Sequence, residues 1–348
     1  MGERRTYSAA TKAEAQALLN DALYKLAHGG LSSSPDQTVA QFCEGWLEDH
    51  VRPEVRPATY ANYRVLVQKV YPQIGTVKLK DLKPPHLVRC YAALREAGVT
   101  PSSIQATHGR LHQALRRAVE WELIPRDPSA SVHPPRPERP RHEPMTEAQI
   151  TALLTANRSD RLYPLWALML STGVRVGEAL GLRWSDLDED RMTIRVEQQA
   201  IWKKGEGITF GPPKTRSSRR TIDIGPHLLA MLREHRQTQR RESQAAELWH
   251  ENGLMFRRLD GQPLYRRWIA KTLDEALENA GLPHFSPHDF RRTMGARHLL
   301  EGTPMKVVQE IMGHSSMFIT ADIYSSVAPS LHRDAARRMD DHLPAEEA

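Results

Sequence analysis

Five cationic side chains and one phenol stand in four short segments of this sequence. Arg175 follows a glycine turn in Ser171-Thr172-Gly173-Val174-Arg175, with Glu178 one helical turn later, able to brace it. Apolar neighbours on both sides predict that Arg175 is partly buried, where only Glu178 or a bound anion satisfies a guanidinium. Lys214 follows Pro212 and Pro213, and that rigid pair predicts a lysine held at the tip of a hairpin. His288 and Arg291 are three residues apart and share a helix face. His314 follows Gly313, and Tyr324 lies ten residues further on. Guanidinium forks match phosphate oxygens bidentately. A metal site would need a second histidine or carboxylate on the His288 face, and none is present. Taken singly, each segment also reads as ordinary structure: a surface ion pair, a solvated basic turn, a structural tyrosine.

Elements to position these residues follow from apolar spacing. Residues 1–34 carry one short helical pattern (Ala13, Ala17, Leu18, Leu26), broken by Gly29, Gly30 and three serines. Residues 35–125 read as helix after helix. Phe42, Trp46 and Leu47 share one face, and Tyr60, Tyr63, Val67 and Val70 another. A third helix opens at Pro84-Pro85 and ends near Gly98. The fourth takes Ser102 or Ser103 as its N-cap and buries Ile104, Leu111, Leu115, Ala118 and Val119. Its other face carries Arg110, Arg116 and Arg117. Residues 126–144 are rich in proline and arginine and read as an extended linker between domains.

From residue 145 onward, Thr146 and Gln149 form a capping-box pattern ahead of helices through Leu165, Leu168, Met169 and Leu170. Met192 to Ala200 alternates as a strand and turns back at Gly205 and Gly207 through Ile208 and Phe210. Thr221 to Ile224 reads as another strand, and the remainder as helix. The sequence therefore predicts two domains, mainly α with a small antiparallel β-sheet.

Composition narrows the partners. The chain has 348 residues and a formal charge of +6, which suits an anionic partner without requiring one. Cys43 and Cys90 lie far apart with no metal-ligand spacing, so inert thiols in a reducing, cytoplasmic setting are expected. No apolar run is long enough to span a membrane.

In their order, the four segments resemble the catalytic domain of the tyrosine recombinases, the phage integrase family. The matching residues are Gly-Val-Arg-Val-Gly-Glu at Arg175, Pro-Lys-Thr at Lys214, His-Asp-Phe-Arg at His288 and Arg291, Gly-His at His314, and Tyr324. Met312 stands where leucine is usual. The helices before the linker resemble the family's core-binding, SAM-like domain. Thr11 to Leu26 is similar only to the helix that ends the arm-binding region.

The resemblance implies a C-shaped two-domain clamp on double-stranded DNA that needs no cofactor and no metal. It implies Tyr324 as nucleophile, giving a 3′-phosphotyrosyl link. Arg175 and Arg291 then hold the phosphate, Lys214 protonates the leaving oxygen, and His288 and His314 assist. Glu178 and Asp289 become supports behind them. Arg110, Arg116, Arg117, Arg216, Arg219 and Arg220 are expected as further DNA contacts. A homotetramer on synapsed DNA follows, with an excision factor and a DNA-bending host protein as possible partners and a mobile element as substrate. Two alternatives stay open: a type IB topoisomerase-like relaxing enzyme, and a non-catalytic DNA-binding relic.

Overall fold

Thr38 opens the first helix. Its hydroxyl accepts from the Gln41 amide at 3.3 Å, and the Gln41 side chain accepts from the Thr38 amide at 2.9 Å. The computed structural model describes residues 36–137, 143–203 and 205–340, together with Thr11 and Gln16. Apart from Thr11 and Gln16, the helix expected over Thr11 to Leu26 lies outside the described residues, as does the side chain of Arg216. The chain divides into two compact units, residues 1–140 and 141–348.

In the first unit α1 (Val39–Gly45) runs into a π-turn over Trp46–Val51, followed by α2 (Pro57–Gln68), α3 (Tyr71–Ile74), α4 (Pro84–Glu96) and α5 (Pro101–Glu120). Phe42, Trp46, Leu47, Leu87, Ile104, Leu111 and Leu115 are all buried in one core. Each such side chain contributes about 1.5–3 kcal/mol by leaving water. The cap of α5 is Thr100, not Ser102 or Ser103: its hydroxyl accepts from the Ser103 amide. Pro101 explains the shift, because a residue without an amide hydrogen fits the first helical position. The proline-rich run is not extended throughout. Ser129 and Val132 are buried against this unit, and Asp127 pairs with His112 at 2.7 Å. Burial pushes the Cys43 thiol up to about 12 and the Cys90 thiol up to about 11, so neither is a thiolate at neutral pH.

The second unit begins with the expected capping box at Thr146 and Gln149, which opens α6 (Glu147–Ala156). Almost every residue of α7 (Tyr163–Thr172) is buried, which makes it the central helix. It ends on Gly173, whose φ of +61° is the left-handed conformation that a helix end favours and side chains resist. The short α8 (Val176–Ala179) follows at once. Next come β1 (Leu187–Asp188), β2 (Thr193–Val196), β3 (Gln199–Lys203), β4 (Gly207–Gly211) and β5 (Arg220–Asp223). The remainder is α9 (Pro226–Ala245), α10 (Arg266–Asn279), α11 (Pro287–Leu300), α12 (Met305–Met312) and α13 (Met317–Asp340).

The strands form two antiparallel sheets where one small sheet was expected. One has the order β1-β2-β5, with Ile194 opposite Ile222; the other is the ribbon β3-β4, with Trp202 opposite Ile208. The expected strand from Met192 to Ala200 breaks at Glu197 and Gln198, where the Gln198 side chain turns away to donate to the Gly181 carbonyl at 2.8 Å. Gly181 permits this approach, since a Cβ there would lie 2.8 Å from Gln199 Cα.

Candidate active site

Arg175 caps α8 and is fixed from both ends. Its amide donates to Glu178 Oε2 at 3.1 Å and its Nη1 to Glu178 Oε1 at 2.7 Å. Nη1 also reaches Ser218 Oγ at 3.2 Å, and Nη2 reaches the Gly313 carbonyl at 3.5 Å. The side chain stays 36% exposed, so the guanidinium is braced from behind and open in front. Glu178 is buried. Burial works against its charge, but Arg220 and Arg175 outweigh that and hold its carboxyl below the usual range.

Arg291 lies one turn into α11, opposite that pair. It is 1% exposed, donates Nη1 to the Gly173 carbonyl at 2.5 Å and Nη2 to the Met312 carbonyl, and its Nε has no partner among the described residues. Burial first, and then the Arg175 charge, push its pKa down to about 9. It remains a cation at neutral pH, with no ion pair to a carboxylate among the described residues. Asp289 explains why α11 starts where it does: it accepts from the Ser286 amide and hydroxyl at 2.8 and 2.7 Å.

His288 is exposed beside Arg291. Surrounding protein, and then the Arg291 charge, hold its imidazole below the ordinary value, so it is neutral at neutral pH. His314 follows Gly313, the left-handed cap of α12, and is buried. Its Nδ1 lies 3.0 Å from Thr320 Oγ1. Burial, then Arg291 and Arg175, lower it to about 3. Both histidines thus stand among guanidiniums without adding charge.

Lys214 is exposed in the connection between β4 and β5 and does not sit at the ribbon tip, which is the turn at Gly205 to Gly207. The Pro-Pro pair ends the ribbon instead, because residues without amide donors cannot extend a ladder. The turn after Lys214 is stitched by hydroxyls: Thr215 Oγ1 lies 2.8 Å from Ser218 Oγ. Tyr324 sits on α13, half-buried against the apolar group of Met294, Leu299, Val308 and Met312. Among the described residues no hydrogen bond joins its hydroxyl to the cations. Further along α13, Leu331 packs on this same unit while Met339 is 68% exposed.

Of the expected DNA contacts, Arg220 is a correction. Its side chain is only 7% exposed and ion-paired to Glu178, so its charge is directed inward. Arg219 is exposed and lines a cleft of about 540 Å³ whose wall also includes Thr215, Ser217, Gly313, His314 and the inward-turned Arg220. On α5, Arg110 stacks over Tyr63 with its carbon 4.2 Å from the ring centre, and Arg117 pairs with Glu120 at 2.7 Å. Arg116 is the more exposed, at 69%. Ser218 and Thr320, which the sequence gave no reason to single out, both touch the cluster. Among the described residues no three His, Cys, Asp or Glu side chains stand together as metal ligands, and no helix is long and apolar enough to cross a membrane.

Comparison with known proteins finds matches to both units. The Phage integrase family profile matches residues 143–330, and the profile for the phage integrase N-terminal SAM-like domain matches residues 38–94. A XerC-like tyrosine recombinase of Caldanaerobacter subterraneus subsp. tengcongensis is 29% identical over 97% of this chain and 92% of its own length. The Tn1549 transposon integrase, solved in complex with a circular intermediate DNA, superimposes with a TM-score of 0.73 at 21% identity, covering 85% of this chain and 99% of that one. A lambda integrase tetramer bound to a Holliday junction gives 0.61 at 16% identity, covering 91% and 88%. With more than half its length matched by the family profile, this chain belongs to the phage integrase family, the tyrosine recombinases.

Proposed function

We propose that this chain is a site-specific DNA recombinase that integrates or excises a mobile element through a 3′-phosphotyrosyl intermediate. The observation that carries this is charge. Arg175, Arg220 and Arg291 stand close enough to feel one another's charge, and Glu178 bonds only the first two. A phosphodiester answers that imbalance, and its non-bridging oxygens suit the open face of Arg175 and the unpartnered Nε of Arg291.

In this reading the Tyr324 phenol oxygen attacks phosphorus and the bond to the 5′-oxygen breaks. His288, held neutral, accepts the phenol proton. Lys214 delivers a proton to the departing 5′-oxygen. Ionising a phenol of pKa about 10 at neutral pH costs roughly 4 kcal/mol, which a base and two fixed guanidiniums can offset. With the Thr320 hydroxyl donating to His314 Nδ1, Nε2 carries the proton and donates to the phosphate. The covalent link conserves the bond energy, so rejoining needs no other energy source.

The unit matched by the integrase profile is the catalytic domain, and the helical unit before it binds the core site. Arg116 and Arg219 are the exposed expected cations and extend the phosphate contacts, with Arg110, Arg117 and Arg216 beside them in sequence. By analogy with the lambda integrase tetramer on its junction, four copies act on synapsed DNA. Such work belongs in the cytoplasm, with an excision factor and a DNA-bending host protein setting direction. The test is a nicked suicide duplex built on the junction between the element and its chromosome. Wild type forms a covalent adduct and Tyr324→Phe forms none. An adduct that persists in Tyr324→Phe overturns the nucleophile, and no adduct with wild type favours a non-catalytic DNA binder.

A further inference from the structure

Arg219 and Arg220 end a basic turn, and from the sequence both face DNA. The structure separates them. Arg220 turns inward and spends its donors on three different segments. Nε donates to the Ile311 carbonyl at 2.7 Å, at the end of the helix that leads to Gly313 and His314. Nη1 and Nη2 each reach Glu178 Oε2 at 3.2 Å, the carboxylate that braces Arg175. Nη1 also donates to the Ser218 carbonyl at 3.0 Å, inside the turn that follows Lys214.

We propose that Arg220 is a positioning residue that holds the Lys214 turn in register with Arg175 and with the His314 turn. Two further observations support this. Ser218, 1% exposed, receives Arg175 Nη1 on its hydroxyl and exchanges a hydrogen bond with Thr215, the neighbour of Lys214. Movement of Lys214 is thereby coupled through Thr215 and Ser218 to both arginines. Gly313, at φ +62°, is the place where the two turns meet. A Cβ there would lie 2.8 Å from the Ser217 carbonyl oxygen and 3.1 Å from Arg220 Cδ. The chemistry requires arginine, since a planar fork can serve three acceptors in fixed directions and an ammonium cannot do so from this stem.

The inference rests on the reading of Lys214 as proton donor to the leaving oxygen, and a leaving-group substitution separates the two. The junction suicide duplex is prepared with either oxygen or sulfur at the 5′-bridging position of the scissile phosphate, because a thiolate leaves without a proton. Lys214→Ala calibrates the assay: slow with oxygen, restored with sulfur. Arg220→Ala should cleave the oxygen duplex about 10²-fold more slowly than wild type and recover most of that loss with sulfur. Its affinity for DNA should stay close to that of wild type. Arg220→Lys and Ser218→Ala should follow the same pattern, and they carry the test if Arg220→Ala does not fold.

Equal losses on both duplexes would overturn the inference, since Arg220 would then act on the phosphate clamp alone. Weaker binding with a salt dependence reduced by about one unit and an unchanged cleavage rate would also overturn it, making Arg220 a phosphate contact. So would wild-type behaviour of all three variants. If sulfur fails to restore Lys214→Ala, the reading of Lys214 itself falls, and this inference with it.

Discussion

The guanidinium of Arg291 donates to the carbonyl of Gly173, the residue whose left-handed turn launches the chain toward Arg175. One arginine thus fixes the turn that presents the other. The two are joined as a rigid pair before any ligand arrives, which is what transition-state stabilisation requires of charged groups.

Arg291→Lys tests that coupling. An ammonium on a flexible stem cannot hold the Gly173 and Met312 carbonyls and still face a phosphate. Cleavage of the suicide duplex should fall by about 10²–10³-fold while retention of the duplex in a gel stays close to wild type. A binding loss that matches the cleavage loss would show that Arg291 is a docking contact.

Glu178→Gln removes the carboxylate that bonds both Arg175 and Arg220. Breaking a buried pair in this way costs about 3–5 kcal/mol. The urea midpoint should drop, and added sulfate should raise it more in the variant than in wild type, because a small anion can stand in for the lost charge. A variant as stable as wild type and indifferent to sulfate would mean that the arginines do not need Glu178.

Acid should unsettle the second unit through its buried histidines. His314 lies at about 3 and His235 at about 4, both depressed first by burial. The unfolded chain takes up protons near pH 6.5 and the folded chain does not, so stability is full above that pH and is lost as the pH falls below it. Each histidine contributes a slope of about 1.4 kcal/mol per pH unit between pH 6 and 5. Urea titrations that show no change over that interval would contradict the burial of both rings.

Gly181→Ala places a methyl against the backbone of Gln198 and Gln199, which cannot rotate away as a side chain can. A loss of about 1–3 kcal/mol is expected. The ribbon should also shift against α8, and with it the connection that carries Lys214. Protease cleavage within residues 199–211 should accelerate; an unchanged digestion pattern would show that the strand absorbs the methyl.

Much of the fold was legible because apolar spacing repeats locally. The buried faces of α1, α4 and α5 and the capping box at Thr146 depend on residues within a few positions of one another. The family spacing located Arg175, His288, Arg291 and His314, and the structure brings these four together. Arg220 was misread because its burial is decided by Glu178, 42 residues earlier, and by a carbonyl in α12. Nothing within the turn distinguishes it from Arg219. The position of Lys214 failed for a related reason. Two prolines look alike at a hairpin tip and at the end of a strand, and only the pairing of β3 with β4 tells which it is. The second sheet was hidden because Gln198 leaves the ladder for Gly181, a contact between distant residues.

The ribbon β3-β4 is anchored at its base against α8 and carries little of the core toward its turn at Gly205 to Gly207. Its length is therefore decoupled from the chemistry. Residues added at that turn would lengthen a projecting arm while the base, and the exit toward Lys214, keep their places. The ribbon is the natural graft point of this enzyme: a reporter peptide or a second recognition module inserted there should be tolerated, whereas the same insertion next to Lys214 should abolish cleavage.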